Sequence, residues 1–296
     1  MPSWEDFKPF IVTGLALGGV YSLSGVGTVV LYRATGVLNL AFGAVGAMGA
    51  FLAWSLIDRG TVPDGVAFVA CIAFGGVVTL AYGLAFGPPL AGRDPLVKAT
   101  ATLGLALILL GAMSWIWSDK ARSLNLPSSN HTFEVSGVLI NWTQVIAFAL
   151  GITVTAATGA FLRYTNVGTA MRAMASDREI TATLGVPVRR VEATAWLACG
   201  LMSGAAGLLL SNLVALDAAT LTFPVVISTV AATLIARLRS LPITFAAGIV
   251  IGLVNALITP ILSISQYRDM TPFVLATIAL LYLSRRRVIS FSRAAG

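Results

Sequence analysis

At 296 residues the chain has the length of one or two soluble domains, but 57% of it is hydrophobic and only 10% is charged. That balance excludes a soluble globular protein and points to a polytopic membrane protein. The net charge of +7 raises a nucleic-acid partner as a possibility, and the positions of the basic residues decide against it below.

The N-terminal stretch from Met1 to Phe10 holds Glu5, Asp6 and one lysine, so it lacks the positive n-region of a cleavable signal. The first span is expected to be retained. Apolar runs follow at about 10–32, 36–57, 66–88, 96–117, 141–162, 191–214, 218–236, 241–262 and 271–284. Nine crossings result if all span. Eight result if the short last run, or the run that holds Pro224, crosses only half the bilayer. The expected fold class is all-α, with 8–9 transmembrane helices in a single transmembrane domain over 1–296. With the N-terminus outside and the C-terminus cytoplasmic, 14 of the 19 Lys and Arg fall on the cytoplasmic side and eight of the 12 acids fall outside. The basic balance therefore reports topology, and no nucleic acid is expected.

Within the runs, Gly14/Gly18, Gly83/Gly87, Gly200/Gly204 and Gly248/Gly252 have G-x-x-x-G spacing, which lets helix backbones approach closely, within one chain or across a dimer. Asn39 carries an amide into an apolar run and needs a hydrogen-bond partner, either a neighbouring backbone or a substrate. Cys71 and Cys199 lie far apart in apolar runs and read as small buried hydrophobes rather than a disulfide or metal site. The longest outer loop, Trp117 to Asn141, reads as a turn region around Pro127, Ser128, Ser129 and Asn130, with a solvated His131.

Arg163 to Glu192 is the one long polar interruption in the second half, with five arginines between apolar segments. Ser176 and Glu179 have the S-x-x-E spacing of a capping box, Ile180, Ala182 and Leu184 follow, Gly185 stands at a C-terminal cap, and Pro187 forbids continuation. One short bounded helix is expected there. Two turns are marginal alone in water, so the helix should rest against something. An ordinary solvated basic loop fits the same residues.

The chemistry that is missing also narrows the reading. Every Asp, Glu, Lys, Arg and His can be placed in a loop or at a span end, whereas an ion-coupled carrier usually holds one near the bilayer midplane. There is no phosphate-binding G-x-x-x-x-G-K-[ST], no H-E-x-x-H and no G-x-S-x-G. The chain is read as a transport subunit rather than an enzyme, with no catalytic or metal-binding residues and any energy supplied from elsewhere.

Three blocks carry a family resemblance: GLALGGVYSL at 14–23 continuing through YRATGVLNLAFG at 32–43, TLGLALIL at 102–109, and GTAMRAMASD at 168–177 running on to Leu184-Gly185-Val186 and Arg190-Val191. The chain resembles the H-type permease subunit of branched-chain amino acid ABC importers, whose wider relatives move urea, short amides and aromatic acids. The resemblance covers most of the chain in order and spacing. It implies a multi-pass bacterial inner-membrane permease domain over 1–296 with a cytoplasmic coupling loop at about 163–190. It further implies a second permease subunit, identical or a sister chain, two cytosolic ATPase subunits and an extracytoplasmic binding protein. No cofactor is expected on this chain, with ATP and Mg bound by the ATPases.

Coupling is assigned to Arg172, Asp177, Arg178, Glu179, Leu184 and Gly185. Asp177 and Glu179 suit the positive end of a helix dipole, and Arg178 is placed to meet acids of the ATPase. The substrate pathway is assigned to Tyr21, Asn39, Phe42 and Thr102, with helix-to-helix bonding as the competing role for Asn39. Phe42, Ala44 and Leu110 replace residues that are commonly polar in the family, and Ile235 to Pro242 replaces a Gly-rich segment. Exchanges of polar for apolar groups near a pathway suggest a substrate bulkier or more apolar than leucine, isoleucine or valine. A passive small-solute channel and a non-conducting assembly subunit are the alternatives.

Overall fold

The computed structural model of the protein describes residues 4–60, 62–118, 120, 122–124, 128, 132–135, 137–261 and 265–281. His131 and the loop residues Pro127, Ser129 and Asn130 lie outside the described residues. The helices are α1 (Trp4–Thr35), α2 (Phe42–Asp58), α3 (Asp64–Leu90), α4 (Pro95–Trp117), α5 (Trp142–Tyr164), α6 (Asn166–Ser176), α7 (Arg178–Thr183), α8 (Val188–Leu213), α9 (Ala218–Ile235) and α10 (Leu241–Ile258). A final helix, α11, occupies 271–281. The fold is overwhelmingly helical, and seven of the described helices are long and apolar enough to cross a membrane.

Three details depart from the expected runs. The run at 36–57 is not one helix: residues 36–41 are unwound, and α2 keeps 17 residues, about 26 Å at 1.5 Å per residue, slightly short of a bilayer core. The run with Pro224 is a continuous 18-residue helix, because the proline sits two turns inside it and loses a single backbone bond. The outer loop, expected as turns, contains an antiparallel hairpin of β1 (Thr132–Val135) and β2 (Val138–Asn141), turned at Gly137 with φ +81°. The last expected run is described only as far as 281.

Helix α1 is the axis of the molecule. Of its apolar window 89% is buried, against 22% for α5, and α5, α8, α9 and α10 all pack on it. Helices α2 and α3 form a second group against α8. Apolar side chains gain little by meeting each other in lipid, so close backbone contact has to hold these helices together. Gly14 and Gly18 face Gly248 and Gly252 across the α1–α10 seam, where a Cβ on Gly18 would sit 2.7 Å from the Ile249 Cα. Gly200 and Gly204 press on α3, where a Cβ on Gly204 would sit 2.7 Å from the Cys71 carbonyl oxygen. Three of the four spaced glycine pairs thus close seams within the chain. The fourth is split, with Gly83 under the Trp196 indole and Gly87 open.

Unwound backbone inside a membrane protein must find its hydrogen bonds in the protein. The 36–41 segment does so with side chains from other elements. The Thr102 hydroxyl of α4 accepts from Leu40 N at 3.1 Å and lies 3.0 Å from the Leu38 carbonyl oxygen. Asn39 Oδ1 accepts from Ala41 N at 3.0 Å, and Ser203 Oγ of α8 donates to the Phe42 carbonyl. Gly36, at φ +69°, ends α1 by donating to the Tyr32 carbonyl at 2.7 Å.

Candidate functional site

The polar segment after α5 folds as two short helices rather than the single one expected. Thr165 starts α6, its hydroxyl accepting from Gly168 N at 3.0 Å, and Met171 and Met174 bury one face. Asp177 then turns the chain with φ −154° and caps α7, its Oδ1 accepting from Ile180 N at 2.9 Å. The expected capping box is therefore displaced by one residue. Ser176 is the last residue of α6, and the carboxylate of Asp177 takes the orphan amide because it is both better placed and charged. Gly185 ends α7 at φ +84° and donates to the Ala182 carbonyl at 3.1 Å, as its position suggested.

Helix α7 is tied down by one ion pair. Arg178 Nε donates to Glu192 Oε1 of α8 at 2.9 Å, so the guanidinium expected to reach a partner's acid is engaged inside the chain. Around it Glu179, Ile180 and Leu184 face solvent, with Leu184 77% exposed. Two large apolar side chains, Ile180 on a six-residue helix and Leu184 at its C-terminal cap, form an uncovered knob at an otherwise charged end. Ile180 was legible in the sequence as part of this helix but was not singled out, since exposure is a tertiary property.

Of the four residues assigned to the pathway, Phe42 borders a small cavity of about 10 Å³ between α2, α8 and α9, and none of the four lines the two large cavities described below. Asn39 and Thr102 are buried fasteners of the unwound segment, and Asn39 Nδ2 also reaches Cys199 Sγ at 3.5 Å. Phe42 is buried with its ring beside Gly27, and Ala44 is fully buried. The apolar side chains at Phe42 and Ala44 are thus packed in the core in this conformation. Tyr21 of α1 is buried in the core. Nearby, sequence reasoning passed over a set of hydroxyls. Thr28 of α1 and Thr222 and Thr229 of α9 are buried with no hydrogen-bond partner, each at a cost of about 1–3 kcal/mol. Threonines are so common in membrane helices that no pattern in the chain marks these three.

The large cavities lie at the α6–α7 end. One, of about 920 Å³, is bounded by the end of α1, by Lys98, by Arg172 and Arg178, and by the turn with Arg237 and Arg239. Another, of about 650 Å³, runs between α5 and α10 and shares Arg33, Arg172 and Arg239 with it. The 237–239 turn is a Schellman cap of α9, with Leu238 N donating to the Thr233 carbonyl at 2.8 Å and Arg237 N to the Leu234 carbonyl at 2.9 Å. Its left-handed position, φ +52°, is held by Arg237 where glycine is usual, and Leu238 follows at φ +57°. Each costs about 1–2 kcal/mol relative to glycine.

The family model for the branched-chain amino acid transport system permease component matches residues 10–283. The chain belongs to this permease family. Among curated relatives, the high-affinity branched-chain amino acid permease BraD of Pseudomonas aeruginosa is 25% identical over 71% of this chain and 72% of its own length. LivH of Escherichia coli is 26% identical over 70% and 72%, and a probable LivH of Methanocaldococcus jannaschii is 26% identical over 74% and 70%. Among solved structures, PsaBC from Streptococcus pneumoniae in complex with Fab superposes with a TM-score of 0.51 at 14% identity, covering 91% of this chain and 90% of that one, a likeness of fold. The permease blocks now have physical roles. The first block supplies the unwound 36–41 segment, the second supplies the Thr102 that holds it, and the third builds α6 and the turn into α7.

Proposed function

We propose that this chain is the membrane-spanning permease subunit of an ATP-driven ABC importer for amino acids or related small organic solutes in the bacterial inner membrane. The α6–α7 end faces the cytosol and docks one of two ATPase subunits, and a second permease chain and an extracytoplasmic binding protein complete the machine. The observation that carries the reading is the uncovered knob of Ile180 and Leu184 on a capped helix braced to α8 by Arg178 and Glu192. A helix pushed at its exposed face would carry α8 with it through that pair. Because α8 packs on α1, α2 and α3, the push reaches the core.

The orphan hydroxyls Thr28, Thr222 and Thr229 are the residues we assign to the substrate path in place of Asn39, Phe42 and Thr102. They lie closed in this conformation. A rearrangement that opened the α1–α9 contact would give them partners on a substrate's ammonium or carboxylate.

Co-purification with the candidate ATPases tests the docking. The native chain should retain ATPase, an Ile180→Ser/Leu184→Ser variant should lose it, and nucleotide should be required for solute uptake. Nucleotide-independent flux with no retained ATPase would instead establish a passive channel.

A further inference from the structure

The two cavities at the α6–α7 end are unlike in character yet joined by three arginines. The α5–α10 groove has apolar walls from Ile152, Ala156, Leu162 and Phe245, while its mouth carries Arg33, Arg163, Arg172 and Arg239. The chamber beyond adds Lys98, Arg237 and the Arg178 already paired with Glu192, and among the described residues no acidic side chain lines either space. Arg33 ends a membrane-crossing helix and Arg163 lies in the last turn of another, so the charges sit at the level of the lipid headgroups. Like charges are crowded there, with Arg172 close enough to act on Arg33. An anion relieves that repulsion.

We propose that the groove is a binding site for an anionic phospholipid. The phosphate is held by Arg33, Arg172 and Arg239, and an acyl chain lies along α5 and α10 against Ile152, Ala156 and Phe245. The charge selects an anionic headgroup, and the continuous apolar wall selects a lipid over a free phosphate compound. Gly159 keeps the groove open, because a side chain there would meet nothing within 4 Å and would project into the space the chain occupies. The inference stands on the membrane fold alone and does not depend on the importer reading.

The test is native mass spectrometry of the purified chain titrated with phosphatidylglycerol, phosphatidylcholine or glycerol 3-phosphate. Phosphatidylglycerol should bind at least about tenfold better than phosphatidylcholine. An Arg33→Gln/Arg239→Gln variant should weaken phosphatidylglycerol binding about thirtyfold, on the order of one lost headgroup contact per arginine. Gly159→Leu should also lose the lipid, while its melting temperature in detergent stays level or rises, since leucine favours the helix over glycine. That variant keeps the proposal testable if the arginine pair fails to fold. Equal binding of the two lipids, or undiminished lipid binding by Gly159→Leu, overturns the site. Glycerol 3-phosphate binding as tightly as phosphatidylglycerol overturns the lipid as its occupant.

Discussion

The α1–α10 seam and the α6–α7 pair sit in one chain but are held by different forces. At the seam Gly14, Gly18, Gly248 and Gly252 bring backbone against backbone, with only small side chains such as Ser22 and Ala256 beside them. The α6–α7 pair is short and amphipathic, secured by one carboxylate cap and one ion pair, with Ile180 and Leu184 left in solvent. The first has no slack for an added methyl group, and the second has an outer face, Ile180 and Leu184, with no packing to lose. A substitution should therefore damage folding in one region and partnership in the other.

Four outcomes would break or sharpen that contrast. Gly18→Leu forces the α1 and α10 backbones apart and should abolish the folded, monodisperse protein on size-exclusion chromatography, since even modest overpacking costs about 1–3 kcal/mol. Survival of that variant with an unchanged melting temperature would show the seam to be looser than described. Thr102→Val removes the hydroxyl that serves Leu40 N and Leu38 O, and should lower unfolding stability by about 1–3 kcal/mol in a detergent titration. Ile180→Ser/Leu184→Ser should leave stability within about 0.5 kcal/mol while removing ATPase retention, a separation of folding from docking. The smallest effect belongs to Glu192→Gln. Its pair with Arg178 is partly exposed, so a double-mutant cycle should read about 0.2–1 kcal/mol, diminishing as salt is added.

Much of the fold was legible because lipid imposes a simple rule: apolar length makes a span. The rule failed where it could not see backbone hydrogen bonding. Residues 36–41 are as apolar as their neighbours, yet they unwind because Thr102, Asn39 and Ser203 supply their bonds from elsewhere in the chain or from across the segment. Backbone hydrogen bonding also bears on the residues assigned to the pathway. Asn39, Phe42 and Thr102 stand out in the sequence, but two of them stand out because an unwound buried segment needs polar fasteners, and Phe42 because Gly27 leaves room for its ring.

The sequence by itself determined a multi-pass helical protein, the glycine pairs that let helices close on one another, and a basic interruption from Arg163 to Glu192 with a short helix that stops at Gly185. Those are properties of composition and of local spacing, which act within a few residues. Only the tertiary structure decided which glycines face which, that Arg178 is held by Glu192, that Ile180 and Leu184 are uncovered, and that Arg33, Arg172 and Arg239 surround one groove. Burial and charge proximity arise between residues far apart along the chain, so no local pattern records them.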